Sequence, residues 1–126
     1  MKILTKKQIL TMHTKLIQAY GGADGLRDEA LLDAAIHAPF QSFDGIEAFP
    51  TLFQKAARLC FGVIKNHPFI DGNKRTGTLA MLTFLSINNV MLTFDDDDLL
   101  EHIVNLAAGV VSCDDLAQWL SDHHTL

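Results

Sequence analysis

The stretch "HPFIDGNKRTG", His67 to Gly77, sets a histidine, a carboxylate, two glycines, an asparagine and a Lys-Arg pair between two apolar segments. Upstream, Leu52, Phe53, Ala56, Leu59, Cys60, Val63 and Ile64 recur at helical spacing. A helix therefore starts near Thr51, and Pro68 ends it, because the residue before a proline resists the α region. Downstream, Leu79, Ala80, Leu82, Thr83, Phe84 and Ile87 mark a second helix from about Asn73 to Asn88. It is apolar on most sides, which makes it the expected central helix. The quoted stretch is thus the joint between two buried helices.

Working outward, Thr5 and Gln8 form a capping box ahead of Ile9, Leu10, His13, Leu16, Ile17 and Tyr20, and Gly21-Gly22 stops that helix. "GGADGLRDEALLDAAI" is a glycine-rich turn feeding a helix that runs from about Asp28 until Pro39 ends it. "PFQSFDGIEAFP", Pro39 to Pro50, has no helical period and reads as a partly exposed flap or short hairpin. "NNVML" is a turn with a short extended piece. Asp96 or its neighbours start a fifth helix that Gly109 ends, and Ser112 with Asp115 starts a sixth. The expectation is an all-α chain, one compact domain over 1–126, with about six helices and a flap or hairpin between helices 2 and 3.

The composition, 48% hydrophobic and 20% charged over 126 residues, suits one globular domain. A net charge of -5 argues against direct nucleic-acid binding. No apolar run reaches the roughly 18 residues of a membrane span, and the N-terminus turns polar too early for a signal peptide. We therefore expect a soluble cytoplasmic protein. Cys60 and Cys113 lie in apolar surroundings and read as buried free thiols, with no zinc-ligand spacing. Asp95 to Asp98 suit a helix N-terminus. His123-His124 reads as a solvated tail, Trp119 and Tyr20 as core or rim, and His13 and His102 as satisfied histidines at the core edge.

The chemistry concentrates in the joint. Its residues are delivered to a helix N-terminus, with unpaired N–H groups and a partial positive charge. Lys74 and Arg75 occupy the first turn, where cations are disfavoured by a few tenths of a kcal/mol. Two cations there make sense if a polyanion such as a nucleotide phosphate sits over them. Gly72 lets a ligand approach the backbone. Asp71 is the one carboxylate that could share Mg²⁺ with a phosphate. His67, with an ordinary pKa of about 6.5, suits a general base for a hydroxyl nucleophile. Phe69 reads as a core anchor for the loop, and Asn73 as partly an N-cap. Positioning, a metal and cationic clamps are the main means of catalysing phosphoryl transfer.

The stretch resembles the Fic/Doc family signature H-x-F-x-[DE]-[GA]-N-x-R, which His67, Phe69, Asp71, Gly72, Asn73 and Arg75 fit. "YGGADGLRDEALLDAAIHAPF" and "DDDDLLEHIVNLAAGVVSCDDLAQWL" are similar to the family's N-terminal region and C-terminal helices. Most members are adenylyl transferases with Gly after the Asn and a second Arg three residues past the first. Here those positions are Lys74 and Thr78, the pattern of the death-on-curing (Doc) toxins. That branch implies a kinase that binds ATP reversed and transfers its γ-phosphate to a threonine of elongation factor Tu, arresting translation. The resemblance makes His67 the general base and Asp71 the Mg²⁺ ligand. It assigns Gly72, Asn73, Lys74 and Arg75 to the phosphates, and the flap at roughly Gln41 to Phe49 to docking the target by strand addition. No inhibitory [ST]-x-x-x-E-[GN] motif occurs, so a Phd-like antitoxin is implied as inhibitor. An adenylyl transferase that tolerates Lys74, and a non-catalytic binding module, remain as alternatives.

Overall fold

Local signals start most of the helices. Thr5, Thr51 and Ser112 each accept a bond from the backbone N–H three residues on, and the side chains of Gln8, Gln54 and Asp115 accept one from the cap's own N–H. These capping boxes open α1 (Lys6–Tyr20), α3 (Leu52–Asn66) and α6 (Cys113–Asp122). Asp28 and Asp95 cap α2 (Glu29–His37) and α5 (Asp96–Ala107) with their carboxylates. Only α4 (Asn73–Ile87) starts without a side-chain cap, behind Gly72. The computed structural model describes residues 1–125, and the architecture is all-α as expected. Among those residues no helix is long and apolar enough to cross a membrane.

The core draws on every helix: Ile9 from α1, Leu32 from α2, Val63 from α3, Phe84 and Leu85 from α4, Leu106 from α5 and Leu120 from α6. Each such side chain contributes about 1.5–3 kcal/mol by leaving water. The hub is α3 rather than α4. It packs against α2, α4, α5 and α6, whereas α4 meets α1, α3 and α5. Small residues explain the difference. A Cβ on Gly62 would sit 3.1 Å from Cα of Ala35 on α2. A Cβ on Gly77 of α4 would sit 3.1 Å from the Cys60 carbonyl oxygen. Backbones this close bring the C-terminus of α3 and the N-terminus of α4 into one fixed corner.

Three further expectations change. Pro39 does not simply end α2; it lies in the first turn of a 3-10 helix over Ala38–Phe40, a position where its missing N–H costs nothing. Cys60 is buried, but Cys113 is only half-buried. His123 and His124 are not a solvated tail. His123 stacks on Trp119 with ring centroids 4.0 Å apart. His124 and Thr125 form β4, which pairs antiparallel with β3 (Met91–Leu92). The expected flap is a hairpin of β1 (Ser42–Phe43) and β2 (Ile46–Glu47), turned by Asp44 and Gly45, both at positive φ. That is the Asp-Gly signature of a tight hairpin turn. Its root is fixed: buried Lys55 of α3 bonds to the Glu47 carboxylate and to the Phe49 carbonyl.

Candidate active site

The joint between α3 and α4 begins at His67, the C-cap of α3, in the left-handed region with φ 50 and ψ 54. That conformation costs about 1–2 kcal/mol for a residue with a Cβ and persists where its surroundings enforce it. Here a distant arginine enforces it. Arg27 Nε donates to the His67 carbonyl at 2.7 Å, and Nη2 to the Asn66 carbonyl at 3.0 Å. The guanidinium satisfies two terminal carbonyls and sits at the negative end of the helix. The imidazole itself is exposed.

The whole 22–28 segment lies along the joint. Arg27 and Asp28 donate their N–H groups to the Pro68 carbonyl at 2.7 and 3.0 Å, and Ile70 N–H donates to the Gly25 carbonyl at 3.1 Å. Leu26 and Phe69 form an antiparallel bridge. Ala23 N–H reaches Asp71 Oδ2 at 3.3 Å. Gly22 allows the approach, since a Cβ there would lie 2.7 Å from Asp71 Oδ2.

The inner side of the joint is packed. Phe69 is 1% exposed. His13 of α1 stacks on it, with centroids 3.8 Å apart and planes 7° from parallel. Asn73 faces inward too. Its Oδ1 accepts from Phe69 N–H and its Nδ2 donates to the Phe69 carbonyl, both at 3.0 Å. The amide therefore closes the loop on itself, which leaves the backbone N–H as what Asn73 offers a ligand. The residue expected as a cap is the first helical residue, and Gly72 at φ 79 takes the cap position.

The outer side is charged and open. With no side-chain cap, the first-turn N–H groups of α4 lack intrahelical acceptors and point out of the helix end. Lys74 and Arg75 are exposed on that turn, and neither pairs with a carboxylate among the described residues. The Arg75 guanidinium lies over the Tyr20 ring, 4.4 Å from its centroid. Tyr20 is thus neither core nor rim filler; its exposed ring is a shelf for a cation. Thr78 turns its hydroxyl back to the Lys74 carbonyl at 2.7 Å. Asp71 Oδ1 accepts from Gly72 N–H at 2.8 Å, so each carboxylate oxygen has one N–H partner and lone pairs left over.

These groups border one cleft of about 810 Å³. His67, Asp71, Gly72, Asn73, Lys74 and Arg75 line one end. Leu79, Leu82, Leu99, Leu100, Ile103 and Val104 line an apolar extension between α4 and α5. Among the described residues no cluster of three or more His, Cys, Asp or Glu side chains could hold a metal unaided. Asp71 suits a cation that takes one carboxylate and completes its shell with phosphate oxygens and water, as Mg²⁺ does. The sequence reading assembled the six cleft residues and Phe69. It missed Arg27 and the shelf role of Tyr20, and it placed His13 at the core edge without its bond to the loop. The signal available for the brace was "GGADGLRD", whose glycines marked close backbone approach.

Residues 3–85 match the model of the Fic/DOC family, and the chain belongs to that family. It is 45% identical over 91 residues to the Toxin Doc of Mycolicibacterium smegmatis, covering 71% of this chain and 70% of that protein. It is 30% identical over 120 residues to the Protein kinase doc of Escherichia phage P1, covering 95% and 94% respectively.

Proposed function

We propose that this protein is a toxin of the Doc type: a cytoplasmic protein kinase that moves the γ-phosphate of ATP to a threonine of elongation factor Tu and so arrests translation. The observation that carries the reading is the corner where α3 meets α4. An uncapped helix N-terminus, two unpaired cations and an exposed histidine converge on one cleft. The similarity to a relative called a protein kinase supports phosphoryl transfer, and the similarity to a toxin supports the biological role.

In this reading the free N–H groups of the first turn, including that of Asn73, and the Lys74 ammonium bind phosphate oxygens. Arg75, shelved on Tyr20, contributes a planar set of donors suited to a phosphate. Lys74 stands where a glycine would leave room for a diphosphate against the helix, so it favours a terminal phosphate next to His67. His67 accepts the proton of the attacking hydroxyl. Asp71 is the protein ligand for Mg²⁺, which when bound neutralises phosphate charge. The β1–β2 hairpin, with Phe43 and Ile46 opposite one another and 69% and 73% exposed, offers an unpaired edge to the target peptide. The apolar end of the cleft suits a helix of a Phd-like antitoxin, since Leu100 and Val104 are 61% and 49% exposed there.

The test in cells is induced expression of the wild type and of His67→Ala. The wild type is expected to stop incorporation of labelled methionine and to leave a phosphothreonine on elongation factor Tu, and His67→Ala to do neither. An unmodified factor, or one carrying AMP, would contradict the reading.

A further inference from the structure

We propose that His13, a residue of α1 outside the signature stretch, is a positioning residue for the Asp71 carboxylate. This deepens the reading above and rests on it for what the carboxylate does. His13 is 2% exposed, and its Nε2 lies 2.7 Å from the Asp71 carbonyl oxygen. A carbonyl only accepts, so this partner assigns the hydrogen to Nε2.

That carbonyl and the N–H of Gly72 belong to one peptide unit, which is planar and rigid. The Gly72 N–H donates to Asp71 Oδ1 at 2.8 Å. His13 therefore grips one edge of a plate whose other edge grips the carboxylate. Tilting the plate would break both bonds, so the imidazole sets the direction of the carboxylate without touching it. The ring is itself immobilised by its stack on Phe69 and by Asp24, whose Oδ1 faces Nδ1 at 3.6 Å. Asp24 adjoins Ala23, whose N–H holds the other carboxylate oxygen. One buried side chain thus ties α1, the 22–28 brace and the loop into a single support.

The geometry separates two roles that substitution can tell apart. His13→Phe keeps a flat ring on Phe69 and removes the donor. His13→Gln keeps a donor and removes the ring. Amide hydrogen exchange at Gly72, read by NMR, reports the plate directly and requires no nucleotide. Exchange there is expected to quicken about fivefold in His13→Phe, the loss of one neutral hydrogen bond, and to recover in His13→Gln. The amides of the α3 interior should hold wild-type rates in both. Unchanged Gly72 exchange in a folded His13→Phe protein would overturn the proposal.

Two more measurements guard the result. In the unmutated protein the His13 ring should show a slowly exchanging proton on Nε2, and a proton on Nδ1 alone would overturn the proposal without any variant. Binding of Mn²⁺·ATP, followed by line broadening at Asp71 and Gly72, should weaken about tenfold in His13→Phe, as loss of an outer-shell partner does. If the wild type binds no Mn²⁺·ATP, the functional reading fails, and Gly72 exchange still decides whether His13 holds the plate.

Discussion

Lys74 and Arg75 put two positive charges on the first turn of a helix whose dipole already makes that end positive. Elsewhere the chain does the opposite, with Glu29 on α2, Asp96, Asp97 and Asp98 on α5, and Asp114 and Asp115 on α6. In the function proposed, stability and ligand binding therefore pull against each other at Lys74. Lys74→Ala should weaken ATP binding about tenfold or more, as loss of a charge-assisted contact does. It should also leave the melting temperature unchanged or slightly higher. Calorimetric titration and a thermal melt read the two effects, and a lower melting temperature with unaltered ATP affinity would make Lys74 a structural residue. The charge pattern was legible in the sequence because it is a matter of residue type and position along a helix. The inward turn of Asn73 and the shelf under Arg75 were not, since both depend on partners that only the folded chain supplies.

At the scale of elements, capping boxes gave the starts of α1 and α6 and Pro68 gave the end of α3, because those signals are local. The β3–β4 pair was illegible because two-residue strands have no periodicity, and so the histidines of β4 and its flank read as a tail. The flap was legible as an interruption; its anchor was not. Lys55 is 3% exposed on an otherwise apolar helix face, and its two flap bonds explain that burial. Lys55→Met should loosen the flap root, raise KM for the protein substrate severalfold and leave the affinity for ATP unchanged. Equal changes in both constants would show that Lys55 acts on the nucleotide side instead. At α6, the Ser112 backbone N–H, followed by the Ser112 hydroxyl, holds the Asp115 carboxyl below its ordinary value of 3.8. A depressed folded-state pKa stabilises the protein above the unfolded value, and this contribution disappears as pH falls through the folded value. Asp115→Asn should therefore flatten the acid limb of the stability curve below about pH 4. An acid limb identical to that of the wild type would contradict this cap.

For the whole molecule, the function proposed here depends on α3 and α4 being held as one corner, because one supplies the histidine and the other the cations. Gly77 fixes their spacing against the Cys60 carbonyl and Val63. Gly77→Val should cost roughly 1–3 kcal/mol through overpacking. It should also lower phosphoryl transfer, while urea unfolding stays cooperative with an earlier midpoint. Full activity in the destabilised variant would separate stability from the site. Burial pushes the Cys60 thiol up to about 12, so native Cys60 stays protonated and unreactive at neutral pH. The core could be read from apolar periodicity; of the brace of residues 22–28 the sequence offered only glycines that permit a close approach, not the segment they approach. Most of its bonds run backbone to backbone between segments about forty residues apart, and side-chain patterns do not encode them. The most direct test of the central claim uses ATP labelled separately at the α- and γ-phosphates, with purified elongation factor Tu, Mg²⁺ and the purified protein beside His67→Ala. Label on the factor from γ-ATP alone, absent with His67→Ala, is the predicted result. Label from α-ATP, or label that persists with His67→Ala, would contradict it.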